Sequence, residues 1–273
     1  MNFAEYIRGA GFRFADGDEV RIDRPSDAPL VLCSSGHAEV AVADGVSVQI
    51  VMSPVVGSES DVTILLGAGA QAEIVGWFDG CRSAVALQQA AGSRFAMTAV
   101  VAGSAQTEFT AELNGVDAEY SFGGVLLAGA GDKSAVRMRV AHNSAGCRSE
   151  SIVKGVASAD GCGRFEGLVY VAKDAQQTDA RQTSRNLLIG GEARITTLPQ
   201  LEIYADDVKC SHGATVGQMD ADAILYMRQR GISEAVARRL QVEGFMADVV
   251  MHCAVPEVGE ALLALLQERT DLL

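Results

Sequence analysis

TEFTAEL (residues 107–113) and VRMRVAH (residues 136–142) alternate apolar and polar side chains at every second position. That period puts Phe109, Ala111 and Leu113 on one side of an extended chain, and Val136, Met138 and Val140 on one side of another. Val, Ala, Ile and Thr fill such stretches while aromatic residues are only 5% and Gly reaches 29, which is the chemistry of short strands on a pleated surface. Turn signals fall at Gly115, Gly131, Gly146, Gly161, Asp174, Gly191 and Asp206, a rhythm of about 15 residues without a strong sequence repeat. Two architectures fit. One is a coiled solenoid, in which small residues stack from rung to rung; the other is an antiparallel sandwich. The dipeptides Asp16-Gly17, Asp44-Gly45, Asp79-Gly80, Asn114-Gly115 and Asp160-Gly161 are possible hairpin turns and favour the sandwich, but they lie further apart than the roughly 8–12 residues between its turns.

The pattern changes after Gly217. Asp220 is placed to cap a helix carrying Ile224, Leu225 and Arg228, and Gly231 to end it. Ser233 caps a second helix with Val236, Leu240 and Val249 expected toward the core, and the stretch after Pro256 makes a third with Leu262, Leu265 and Leu266 on one side. The expected organisation is a β core over residues 1–217 followed by a small helical domain over residues 218–273.

With 35 acidic and 22 basic residues the formal net charge is -13, which disfavours attraction to nucleic acid or an anionic membrane surface. The N-terminal stretch has no basic segment followed by an apolar one, and no apolar run reaches membrane-spanning length, so a cytoplasmic location is expected. Six cysteines are scattered without a CxxC pair, so they are expected to be free thiols, most of them small core residues. No GxxxxGK[ST] or helix-opening GxGxxG is present, so neither ATP hydrolysis nor dinucleotide binding is expected of this chain.

Residues 201–217, LEIYADDVKCSHGATVG, place two soft ligands and two carboxylates together. In an extended chain Asp206, Val208, Cys210 and His212 share a face. Thiolate and imidazole suit iron, copper or zinc, but two ligands do not close a tetrahedral site, so another element or another chain must supply the rest. On spacing alone, Cys210 as an inward-facing small core residue and His212 as a satisfied turn residue is the reading favoured over a metal site. Three further candidates are His142-Asn143 at a strand end, His252-Cys253 at a helix end, and Cys147 with Cys162, which occupy similar positions in successive turns of the rhythm.

From His142 to about Met251 the order of motifs resembles that of the SufB/SufD scaffold family of iron–sulfur cluster assembly. The motifs are His142-Asn143, Lys154-Gly155-Val156, Phe165-Glu166-Gly167, Ala175-Gln176, Gln182-Thr183 and Asn186-Leu187-Leu188. The densest match is PQLEIYADDVKCSHGATVGQMD (residues 199–220) followed by LYMRQRGIS (residues 225–233). The resemblance implies a mainly β fold, a right-handed parallel β-helix, with a C-terminal α-helical domain. It also implies a SufB-like paralogue, or a second copy of the chain, as partner through the β-helix ends, and a SufC-like ABC ATPase docked on the C-terminal helices.

By motif, His212 is the histidine that the family places at the shared interface, with Cys210 beside it. Two positions point to the SufD branch: Ala193, in the stretch IGGEARITT where SufB-type members carry a cluster-building cysteine, and the Ser-His-Gly segment itself, where they carry carboxylates around the histidine. Strand-like sequence starts within the first few dozen residues, where the family carries an additional N-terminal helical region.

The expectation is therefore a non-enzymatic assembly subunit. His212 and Cys210 are its candidate metal ligands, shared with a partner chain. Tyr226, Arg228 and Arg230 are its candidate partner contacts. Any iron–sulfur cluster would be transient at the shared interface, with none held by this chain alone. The alternatives are a β-helix enzyme acting on polysaccharide, which one Trp and few aromatics disfavour, and a metal-free structural solenoid.

Overall fold

The computed structural model describes residues 3, 6–7, 12–14, 18–25, 28–33 and 35–270. Strands of odd and even number go to different sheets, and every pairing is parallel. Sheet A stacks β1 (Arg13–Phe14), β3 (Leu30–Leu32), β5 (Ser47–Met52), β7 (Gln71–Asp79), β9 (Arg94–Ala102), β11 (Glu119–Ala128), β13 (Arg148–Ser158), β15 (Asp179–Ile189) and β17 (Lys209–Gln218) in that order; sheet B stacks β2 (Glu19–Ile22), β4 (Gly36–Val42), β6 (Glu59–Leu66), β8 (Arg82–Gln89), β10 (Gln106–Leu113), β12 (Lys133–His142), β14 (Cys162–Val171) and β16 (Arg194–Ile203). Each strand therefore pairs with the strand two places on, which makes a parallel β-helix and excludes the sandwich.

The repeat widens along the chain. Leu30 in β3 (Leu30–Leu32) lies beside Ile50 in β5 (Ser47–Met52), twenty residues on. Gln106 in β10 (Gln106–Leu113) and Ala135 in β12 (Lys133–His142) are 29 apart. Cys162 in β14 (Cys162–Val171) and Arg194 in β16 (Arg194–Ile203) are 32 apart. The rhythm of about 15 residues is thus half a coil, one strand and one corner. For that reason Cys147 and Cys162 do not stack: Cys147 precedes β13 (Arg148–Ser158) of sheet A and Cys162 opens β14 of sheet B.

The Asp-Gly dipeptides are corners rather than hairpins. Gly45, Gly69, Gly92, Asp117 and Gly146 all have positive φ, and each donates its N–H to a carbonyl one coil later: Gly45 to Ala68 at 2.8 Å, Gly69 to Ala91 at 2.8 Å, Gly92 to Val116 at 2.8 Å, Asp117 to Ala145 at 3.1 Å and Gly146 to Gln176 at 2.9 Å. Asp44 adds a side-chain link, its Oδ1 accepting from the Ala68 N–H at 2.7 Å. Gly115 and Gly161 serve differently. A Cβ on Gly115 would lie 1.9 Å from the Ala91 nitrogen, and one on Gly161 would lie 2.2 Å from the Ala128 oxygen, so glycine there permits backbone contact between coils. Asp16-Gly17 lies outside the described residues.

Between the sheets the alternating positions stack into rows. Val40, Ile64, Leu87, Ala111, Val140 and Val169 form one on sheet B, and all are buried. Aromatic contacts reinforce the middle coils, with Phe95 stacked on Tyr120 at 5.4 Å and Phe109 tilted on Phe122 at 4.8 Å.

The last strand, β17, covers Lys209–Gln218, and three helices follow: α1 (Ala221–Gln229), α2 (Glu234–Met251) and α3 (Pro256–Thr270). Asp220 accepts from the Asp222 and Ala223 N–H groups, Ser233 accepts from Val236, and Gly231 follows α1 with φ +86. Helices α2 and α3 lie on the outer face of sheet A and share one apolar cluster with it: Val242, Met246, Val249, Leu262 and Leu266 meet Val75, Trp77, Val100, Val125 and Val156. Val236 and Leu240, expected toward the core, are instead exposed, because the buried face of α2 runs through Ala237, Val242, Met246 and Val249. Lys154 of β13 fastens α2. Its ammonium, almost wholly buried, donates to the Phe245 carbonyl at 2.6 Å and to the Asp248 carboxylate, and lies 4.9 Å from the Phe245 ring centroid.

Close coil packing predicts that Gly115→Ala destabilises the chain by about 1–3 kcal/mol or more, whereas Gly191→Ala, with open space at its Cβ, changes stability by less than about 0.5 kcal/mol. Urea unfolding of both variants checks this.

Candidate functional site

The inner rows of sheet A change character toward the C-terminal end. One row passes from Tyr120 to Ser149, Ala180 and Cys210; the next from Phe122 to Ser151, Gln182 and His212; the next from Gly124 to Val153, Ser184 and Ala214; and the next from Leu126 to Gly155, Asn186 and Val216. Aromatic side chains thus give way to serine in two of these rows, and on β15 three of the four rows carry an amide or hydroxyl, at Gln182, Ser184 and Asn186. On sheet B the facing residues are Ile195, Thr197, Pro199, Leu201 and Ile203, stacked on Gly163, Phe165, Gly167, Val169 and Val171. The lumen near this end is polar on one wall and mainly apolar on the other.

No coil covers β16 and β17 among the described residues. Cys210 is half-buried and His212 exposed, although both stand in inward-facing rows. They are ring and thiol groups at the mouth of the solenoid, two residues apart on one side of β17, as the extended reading of this segment requires. Asp206 of that proposed face lies in the bend before the strand. The backbone is uncovered there too: the Lys209 N–H donates to Thr178, so alternate residues, Cys210 and His212 among them, turn their N–H and C=O away from β15 (Asp179–Ile189) to the open edge. On β16 the edge is interrupted by Pro199, which has no N–H to offer.

Burial pushes the Cys210 thiol pKa up, and the charge of Asp179 adds to the effect. The free chain therefore holds a neutral thiol near neutral pH, and a metal or a cationic neighbour is needed to make it a thiolate. Among the described residues no group of three or more His, Cys, Asp and Glu side chains is gathered to hold a metal ion. The six cysteines carry no disulfide; Cys81 and Cys147 are buried, Cys33 is exposed, and the other three lie between, so fewer are core residues than expected.

The other candidates serve packing. His142 is fully buried in the lumen with Nε2 2.8 Å from the Ser149 hydroxyl and Nδ1 unpartnered, and burial lowers its pKa to about 4. His252 caps α2, with Nδ1 2.6 Å from the Asp248 carbonyl. Ala193 is buried with Ala128 and Ala157 at the corner before β16. Sequence reasoning missed the polar wall of Gln182, Ser184 and Asn186, all of them buried. Its signal was available in ARQTSRN (residues 180–186), which is polar on both faces of a strand.

On the helices, Tyr226 is exposed and the Arg230 guanidinium lies 4.4 Å from its ring centroid, while Arg228 pairs with Glu234 at 3.3 Å. Leu225, Val236 and Leu240 are exposed on the same two helices, an apolar surface fringed by arginine of the kind that partners cover.

Fold and site together define a β-solenoid that presents a thiol and an imidazole at an uncovered end. Residues 32–245 match the family model described as SUF system FeS cluster assembly, SufBD core domain. The chain belongs to the SufB/SufD family, on its SufD-type side. It is 37% identical over 158 residues to the iron-sulfur cluster assembly protein SufD of Escherichia coli, covering 58% of this chain and 37% of that protein. It is 46% identical over 86 residues to an iron-sulfur cluster assembly SufBD family protein of Synechocystis, covering 32% and 19%. With the iron-sulfur cluster assembly protein SufD of Bacillus subtilis it shares 28% identity over 168 residues, covering 61% and 38%. The matched segments span less than half the length of each of these relatives.

His142 carries a prediction for stability. Its folded pKa of about 4 lies below the ordinary 6.5, so the unfolded chain takes up a proton first as pH falls. The stability this neutral histidine supports is complete above pH 6.5 and is lost progressively down to about pH 4, by roughly 3 kcal/mol in all. His142→Gln should flatten that part of the profile, measured by urea unfolding from pH 7.5 to 4.

Proposed function

We propose that the chain is a SufD-like, non-enzymatic scaffold subunit of iron–sulfur cluster assembly in the cytoplasm. The observation that carries the reading is the placement of Cys210 and His212 at the uncovered end of the solenoid, beside unpaired backbone edges. Two ligands cannot close a tetrahedral iron site, and an uncovered sheet end invites another chain. One event, docking of a SufB-like paralogue or of a second copy, would cover the edge and complete the ligand set. In this scheme the iron and sulfide are cargo, assembled transiently across the interface. His212 acts as an iron ligand or as a base assisting sulfur transfer, since neutral imidazole does either near neutral pH, and Cys210 is a secondary ligand.

The exposed surface of α1 and α2 is the proposed seat of a SufC-like ABC ATPase, with Tyr226 as the aromatic anchor and Arg228 and Arg230 around it. Because α2 is fastened to β13 through Lys154, force applied to the helices reaches a strand two places from β17 in sheet A.

The glycan-enzyme alternative needs a carboxylic acid free to donate a proton. On the outer face of sheet B, Glu166 instead accepts from Arg164 at 2.8 Å and from Arg137 at 3.1 Å. These bonds hold its carboxyl below the ordinary carboxylate range, which is the wrong direction for an acid.

Co-purification with a SufB-like chain and an ATPase, followed by iron and sulfide analysis of the complex, tests the proposal; a chain that stays alone and metal-free while cleaving a glycan overturns it. His212→Ala should leave the complex assembled and ATP hydrolysis intact while cluster-dependent growth falls, and unchanged growth would remove His212 from the site. Tyr226→Ala should weaken ATPase docking by roughly tenfold or more, read by titration calorimetry, with the solenoid's unfolding midpoint unaltered.

A further inference from the structure

Gln182 stands directly next to His212 in the stacked row, one strand deeper into the lumen. It is 1% exposed. Its side chain crosses the lumen and Nε2 donates to the Gly167 carbonyl of sheet B at 3.1 Å. That bond fixes which end of the amide is which, because a carbonyl oxygen accepts only from the NH2 group. The remaining oxygen, Oε1, is buried and has no hydrogen-bond donor. Gly167 is what makes room for this arrangement: a Cβ there would lie 2.5 Å from Oε1 and 2.6 Å from Nε2. That leaves a buried lone pair able to accept from a donor that enters the lumen.

His212, next in the row and without a side-chain hydrogen-bond partner among the described residues, is the residue of that row that carries a ring N–H. We propose that Gln182 is a positioning residue for His212, its Oε1 accepting a ring N–H when the imidazole turns into the lumen, so that the other ring nitrogen is left as an outward-facing lone pair. The proposal rests on the reading of His212 as the functional residue of the open end and deepens it: it names what selects the tautomer that can bind iron or take a proton. A histidine ligand is ordinarily held in this way, through a hydrogen bond from its second nitrogen.

The surroundings allow the effect to be read cleanly. The residues that face the lumen around His212 are Ala180, Gln182, Ser184 and Asn186 on β15, Ile195, Thr197, Pro199, Leu201 and Ile203 on β16, and Phe165, Gly167 and Val169 on β14. None is charged. Cys210, on the same strand, is the one titratable neighbour in this wall, and burial keeps it neutral.

The test is 15N NMR of histidine-labelled full-length chain, with the His212 signals assigned by their loss in His212→Ala. Wild type should show one dominant tautomer. Gln182→Met, which keeps the length and removes the acceptor, should lower the tautomer ratio by roughly five- to tenfold. Gln182→Glu, which keeps an acceptor oxygen at the same length, should preserve the tautomer. Identical tautomer ratios in wild type and Gln182→Met overturn the proposal. Should Gln182→Met not fold, Gln182→Leu, which also removes the acceptor, takes its place. The two readings fail separately: unchanged growth of His212→Ala removes the functional reading while the NMR contact stands, and unchanged NMR removes Gln182 while the scaffold reading stands.

Discussion

Parallel stacking in register is the constraint on which the rest of this molecule depends. Each strand is satisfied only by the strand above and the strand below, so each coil completes its neighbour's hydrogen bonds and covers its neighbour's inner side chains. The corner residues follow the same rule, donating from one coil to the next. A chain built this way ends, unless something caps it, on a coil that is half satisfied. At β16 and β17 this leaves backbone groups, a thiol and an imidazole at the surface together, on an edge with which another chain can pair.

The widening of the coils and the change in their contents belong to the same design. Early coils are narrow and filled by valine, isoleucine and leucine, which keeps them dry and closely packed. Late coils are longer by about half and admit Ser151, Gln182, Ser184 and Asn186. Polar groups in a lumen cost stability unless they are hydrogen-bonded. Several are, as in the Asn186 to Ser184 contact at 3.0 Å and the Thr197 to Ser184 contact at 2.9 Å. Gln182 Oε1 and Asn186 Oδ1 remain unpartnered, one strand in from the mouth. Meanwhile the helices shield the outer face of sheet A with an apolar cluster and leave Tyr226 and its arginines outside, so one end of the molecule and one flank are available to different partners.

Local chemistry was legible wherever a residue acts through its sequence neighbours. The period-two alternation of residues 107–113 and 136–142 identified strands, Asp220 and Ser233 identified helix starts, and Gly231 identified a helix end, because each of these acts within a few bonds of itself. The pairing of Cys210 with His212 was legible for the same reason: extended backbone alone puts positions two apart on one side. The dense match across residues 199–220 carried the family.

Tertiary structure alone decided what depends on residues a full coil apart. Asp-Gly turns look the same whether they return a strand antiparallel or carry it to the opposite sheet; the resemblance implied the solenoid, and the register, with steps growing from 20 to 32 residues, shows it. The same distance hides Gln182 beneath His212, separates Cys147 from Cys162, and turns Val236 and Leu240 outward because the sheet contacts another stripe of α2. The amino-acid sequence determined which elements form and which ligands stand together. The stacking of coils, a contact between residues about 30 positions apart, decided that those ligands sit at an uncovered end where a second chain can reach them.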